Sequence, residues 1–135
     1  MKAVVDENLP AALAKALNAL AAPAFEDEIL HSTELVGEGC PDDELFRRAA
    51  AAGVSVHITQ DHHNRKPLER LVIAECGLVV FTLGKAWSSH KFWDKSCQLI
   101  RWWPAIRAHA ERTKPPAIYR VQWKVGGRFE QVVLR

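Results

Sequence analysis

The chain is poor in the residues that mark secreted, disulfide-built or membrane proteins. Its 135 residues include three cysteines, one methionine and one tyrosine. Cys40, Cys76 and Cys97 are odd in number and widely spaced, which excludes a disulfide framework and matches no zinc-ligand pattern. Free thiols in a reducing cytoplasm are the expectation. No apolar run reaches membrane-spanning length, and Val4-Val5 gives way at once to Asp6-Glu7 where a signal peptide would continue its apolar core. Repeats, low-complexity tracts and Gly/Ser linkers are missing too, so one domain over residues 1–135 is expected. A chain of this length can bury a sizeable core without covalent staples.

What is present is ordinary in amount and unusual in distribution. Hydrophobic residues make up 48% and charged residues 25%, the balance of a soluble globular chain. The formal net charge of +2 hides two opposed halves. Residues 1–64 carry 4 Lys/Arg against 11 Asp/Glu, and residues 65–135 carry 14 against 5. Carboxylates for cations beside cationic side chains for phosphates suit a metal-dependent nuclease, although two solvated surfaces would show the same counts.

Hydrophobic periodicity predicts a strand at Lys2–Val5 and a helix at Pro10–Leu20 capped by Asn8. A weaker strand follows within Phe25–His31, then a loop marked by Gly37, Gly39 and Pro41. Asp42–Ala52 is expected to be helical, Val54–Thr59 a strand, and Pro67–Cys76 a helix closed by Gly77. Leu78–Thr82 is apolar throughout, as in a strand buried on both faces. A longer helix is expected over His90–Arg112, interrupted or bent at Pro104. Ile118–Lys124 and Arg128–Leu134, joined at Gly126-Gly127, read as a β-hairpin. The order predicts an α/β fold with a mainly parallel sheet and a C-terminal helix plus β-hairpin.

Three acids occupy informative places in that order. Asp6 directly follows the first strand, Asp61 follows Val54–Thr59, and Asp42 opens the helix leading into that strand. Crevices in parallel α/β sheets lie beyond the carboxyl ends of the strands, so the three are expected at one edge. Crowded carboxylates call for a cation, and oxygen donors favour Mg²⁺ or Mn²⁺. Each acid also has a plain structural reading: Asp6 as a helix cap, Asp42, Asp43 and Glu44 as complements to a helix dipole, Asp61 as a turn residue.

The motifs around these acids resemble the PIN-like domains of VapC-type toxins, in their DUF5615/Mut7-C-like branch. Val4-Val5-Asp6-Glu7-Asn8-Leu9-Pro10 is similar to that branch's opening signature, Pro41-Asp42-Asp43-Glu44-Leu45 to its acidic helix start, and Ile58-Thr59-Gln60-Asp61 to its Thr-x-Asp motif. Arg65–Arg70 and Pro115–Val121 resemble one subgroup. The resemblance implies a PIN-like three-layer α/β/α fold, with a catalytic core over about residues 1–84 and an extension over about 85–135. It implies an Mg²⁺- or Mn²⁺-dependent endoribonuclease, the toxin of a type II toxin–antitoxin pair. Its partners would be RNA and a cognate antitoxin, with a homodimer as the family's habit.

By the same resemblance Asp6, Asp42 and Asp61 are metal ligands, and Thr59 orients Asp61 or a bound water. Asn8 holds Asp6 or meets substrate, and Asp43 stands in reserve for Asp42. His62-His63 fills the place where such nucleases carry a fourth acid, and Glu69 is the candidate replacement. Without one, the alternative is a catalytically weak scaffold that binds RNA or protein.

Arg65, Lys66 and Arg70 are the candidate contacts to the RNA backbone, with a solvated helix face as the other reading. His57, inside a strand, is read as an interior, hydrogen-bonded histidine. His62-His63 lacks the further ligands of a transition-metal site. All five tryptophans lie beyond residue 85. Packing or an interface is expected for Trp102 and Trp103, while Trp87 and Trp93 stay open between packing and base stacking.

Overall fold

A computed structural model describes residues 1–60 and 66–134. Asp61, His62, His63, Asn64 and Arg65 lie outside the described residues. The chain forms one six-stranded sheet with helices on both faces. Its strands are β1 (Lys2–Val5), β2 (Glu28–His31), β3 (Val56–Thr59), β4 (Val79–Leu83), β5 (Ala117–Val121) and β6 (Glu130–Val132). Its helices are α1 (Ala11–Phe25), α2 (Ser32–Val36), α3 (Asp42–Ala51), α4 (Pro67–Cys76) and α5 (Phe92–Arg112). The sheet order is β2-β1-β3-β4-β5-β6, parallel except for the last pair.

Alternation along the strands divides the core into two layers. Ala3 and Val5 of β1, Val56 and Ile58 of β3, and Val79, Phe81 and Leu83 of β4 join one apolar cluster. They pack there with Leu13 and Leu17 of α1 and Leu99, Trp102, Trp103 and Ile106 of α5. Val80 and Ile118 point the other way, onto Phe46 of α3 and Val72 and Ile73 of α4. Val4 meets Ala49 of α3 on that second face. The result is the three-layer α/β/α arrangement.

Several expectations change in detail. Asn8 is not a helix cap: Pro10 takes that position in extended conformation, with no side-chain cap bond. Helix α1 runs five residues past Leu20, through Pro23, and stops at Glu26, which adopts φ 60°. Near a helix end Pro23 forfeits one hydrogen bond, a smaller loss than in the interior. Helix α2 was not anticipated. It is short, and its start is held by His31 N–H donating to Glu34 Oε2 at 2.7 Å. Helix α5 passes through Pro104 without interruption, because its apolar stripe stays seated on the sheet on both sides of the proline.

The C-terminal hairpin is a real antiparallel pair, but its first strand, β5, also pairs in parallel with β4. It therefore widens the central sheet. Gly77 closes α4 in the left-handed region, φ 64°, as its position after Cys76 predicts. No helix among the described residues is long and apolar enough to cross a membrane.

Candidate active site at the carboxyl edge of the sheet

Strands β1 and β3 are direct neighbours, with Val5 beside Ile58. Asp6 N–H continues the ladder by donating to Ile58 O at 2.9 Å, which brings Asp6 level with Thr59. Thr59 is in turn level with Thr82 of β4. A row of buried polar side chains, Asp6, Thr59 and Thr82, thus crosses three adjacent strands at their carboxyl ends. One step earlier on the same face lie Val4, His57 and Val80. His57 is fully buried with its Nε2 3.8 Å from Asp6 Oδ1 and its ring edge-on to Phe46. An interior position for this histidine follows from strand alternation; its approach to Asp6 needs the pairing of two distant segments.

The loops above this row are tied together by Asn8. Its Nδ2 donates to Thr59 Oγ1 at 3.1 Å, and its Oδ1 accepts from Gln60 N–H at 3.3 Å. Asn8 N–H lies 3.5 Å from Asp6 Oδ2. One amide thereby joins the turn carrying Asp6 to the residue that precedes Asp61 in sequence. Gln60 is held from the opposite layer as well, since Lys95 Nζ of α5 donates to Gln60 Oε1 at 2.9 Å. Lys95 was not among the candidates read from sequence; as one lysine in a basic half it carries no local signal.

Helices α3 and α4 both run away from this edge. The loop before α3 is fastened to the end of β1 by Gly39 N–H, which donates to both carboxylate oxygens of Glu7 at 3.2 Å. At the far edge Lys2 Nζ donates to Ala52 O, just past the end of α3. The starts of α3 and α4 line a common cleft of about 330 Å³ with Cys40, Asp42, Asp43, Lys66 and Glu69. Glu69 is 6% exposed, and its Oε1 lies 3.7 Å from Lys66 Nζ. Asp43 Oδ2 accepts from Arg47 NH1 at 3.1 Å, one turn along the helix. The Cys40 thiol is pushed above its usual value, first by burial and then by the Glu44 carboxylate, which favours its neutral form.

The expected residues are therefore distributed as follows. Asp6, Asn8 and Thr59 meet at the strand ends, while Asp42, Asp43, Glu69 and Lys66 share the cleft between helix starts. Arg70 lines a different groove, with Pro67, Leu71, Ala74 and Leu134. Asp61 and Arg65 lie outside the described residues. Among the described residues no three His, Cys, Asp or Glu side chains are grouped so as to hold a metal ion. Trp87, Trp102 and Trp103 are buried and belong to the core, whereas Trp93 is 74% exposed.

Sequence reasoning also passed over a heavily bonded buried acid. Asp27 is 2% exposed and accepts from Arg107 at 2.7 and 3.1 Å and from Trp103 Nε1 at 3.1 Å. The Met1 amino group is 3.3 Å away. This cluster joins the turn before β2 to α5 and is remote in sequence from every motif above.

No curated protein and no solved structure matches this chain significantly. A family model described as a PIN-like domain matches residues 1–85, from the first strand to just past β4. PIN-like domains are often nucleases, and the acidic crevice occupies the edge where a parallel α/β sheet binds its ligands. The fold and the matched span together show that the chain belongs to the PIN-like domain family.

Proposed function

We propose that the protein is a metal-dependent endoribonuclease of the VapC-like kind, hydrolysing RNA phosphodiester bonds as the toxin of a toxin–antitoxin pair. The observation that carries this reading is the buried carboxylate of Asp6 at the carboxyl edge of the sheet, the edge from which α3 and α4 start with an acid-lined cleft between them. The proposed donors are carboxylate oxygens, which fit Mg²⁺ or Mn²⁺. Because the described acids do not complete a metal site by themselves, the reading requires Asp61.

Asp6, Asp42 and Asp61 would hold the ion, with Glu69 in place of the fourth acid. Asp43, which lines the same cleft and is bonded to Arg47, is the alternative to Asp42. When bound, the ion lowers the pKa of a water and stabilises charge on the phosphate oxygens. The chain's own part is to position these groups. Asn8 fixes the turn of Asp6 against Thr59 and Gln60, and Lys66, with Arg65, offers charge to the RNA backbone beside Glu69. An antitoxin would act by covering the carboxylates.

The test is cleavage of a structured RNA in Mn²⁺ by the wild-type protein, Asp6→Asn and Asp61→Ala. Cleavage that needs metal and falls about a hundredfold or more in both variants is expected. Equal cleavage by all three would remove the site. RNA binding without any cleavage would leave the scaffold reading instead.

A further inference from the structure

Helices α1 and α5 leave a groove of about 350 Å³ between them, lined by Ala12, Leu13, Ala16, Phe92, Trp93 and Ile100 together with Ser96 and Cys97. Trp93 and Phe92 are 74% and 50% exposed, although Trp87, Trp102 and Trp103 of the same region are buried. Both helices begin at the carboxyl edge of the sheet, following β1 and β4. The groove therefore opens at the edge that carries Asp6. Lys95 makes the connection concrete: it projects from the first turns of α5 to Gln60, at the end of β3. The residue is half-buried, and among the described residues its ammonium is held by a neutral acceptor. Lys15 of α1, Lys91 at the cap of α5 and Arg101 of α5 are exposed, and Asp94 is the acid in the first turn of α5. An apolar slot with an exposed indole, on helices that also carry exposed cations, matches a base with its phosphate, because aromatic faces stack on unpaired bases while cations track the backbone.

We propose that this groove takes an unpaired base of the substrate strand against Trp93, with Lys95 holding a phosphate beside Gln60. The proposal rests on the nuclease reading for the identity of the strand, and it makes single-stranded nucleic acid the preferred form. Both residues lie beyond the segment matched by the family model. Substrate preference would then be set by the C-terminal part of the chain.

The experiment measures binding of a fluorescein-labelled single-stranded oligoribonucleotide in EDTA, where hydrolysis plays no part. The same measurement is made with an abasic strand and with a duplex. Wild-type protein should bind the base-bearing strand most tightly. Trp93→Ala should weaken that affinity about tenfold and leave the abasic strand unchanged, while Trp93→Phe retains most of it. Lys95→Ala should weaken both strands and lower the salt slope by about one. Equal affinity of wild type and Trp93→Ala would overturn the proposal, as would failure of the wild type to bind. So would a change of elution volume in Trp93→Ala with strand binding intact, which would make the groove a contact between two copies. Loss of metal-dependent cleavage alone would sink the nuclease reading and leave this binding result standing.

Discussion

At the scale of single residues, one buried and one half-buried ionisable group give the molecule a defined response to acid. Burial raises the pKa of Asp27, but bonds from Arg107, Trp103 and the Met1 amino group outweigh it and hold the carboxyl below its ordinary value of 3.8. The stabilisation is complete above that value and is lost as pH falls through the lower folded-state value. Asp27→Asn should cost about 1.5–3 kcal/mol near neutral pH, because Arg107 loses its buried charged partner and keeps only the more exposed Glu111 carboxylate, 3.1 Å away. Chemical denaturation at pH 7 and pH 3 checks this, and an equal loss at both would contradict it.

His109 behaves differently. Burial, with help from Arg112, lowers its pKa below 6.5, and it sits among the rings of Tyr119, Phe129 and Phe81. Folding is opposed by its protonation, so the stability it leaves intact above 6.5 declines as pH drops toward the folded-state value. In His109→Phe the decline between pH 6.5 and 5 should shrink, as thermal melts across that range would show.

At the scale of elements, the helix starts decide what the edge can do. Helices α3 and α4 each place acids in their first turn, Asp42 to Glu44 and Glu69. Such acids favour the helix dipole wherever they occur, which is why the sequence could not separate a site from ordinary capping. Packing separates them in part: Glu44 is exposed, while Asp42, Asp43 and Glu69 line the cleft, Asp43 with Arg47 bonded to it. If Glu69 replaces the fourth acid, Glu69→Gln should lower the upward shift of Tm produced by Mn²⁺ relative to wild type. Its Tm without metal should change little, and an unaltered Mn²⁺ response would remove Glu69 from the metal site.

The same scale shows where local sequence was legible. The alternation of β1, β3 and β4 and the Gly77 stop of α4 follow from side-chain period and backbone freedom. Helix α1 outlasts Pro23, and α5 outlasts Pro104, because contacts with the sheet override a local breaker.

At the scale of the whole molecule, the family-matched residues and those after them share one core. Leu99, Trp102, Trp103 and Ile106 of α5 cover the same sheet face as Leu13 and Leu17 of α1, and β5 pairs with β4. A chain ending at residue 85 would expose that face and one edge of β4. Such a truncation should lose cooperative unfolding and near-ultraviolet circular dichroism; a sharp melt like that of the full chain would show instead that the first part folds alone.

The sequence by itself determined the α/β order, the parallel core strands, and the arrival of Asp6 at a strand end. These depend on hydrophobic period and on residues adjacent in the chain. Only the tertiary structure decided that β1 lies beside β3, that β5 widens the main sheet, and that Asn8 bridges to Thr59. It also decided that Lys95 reaches Gln60 and that Asp27 anchors α5. Each of those depends on contacts between segments far apart in sequence, whose partners are chosen by packing and charge across the folded core rather than by any local pattern.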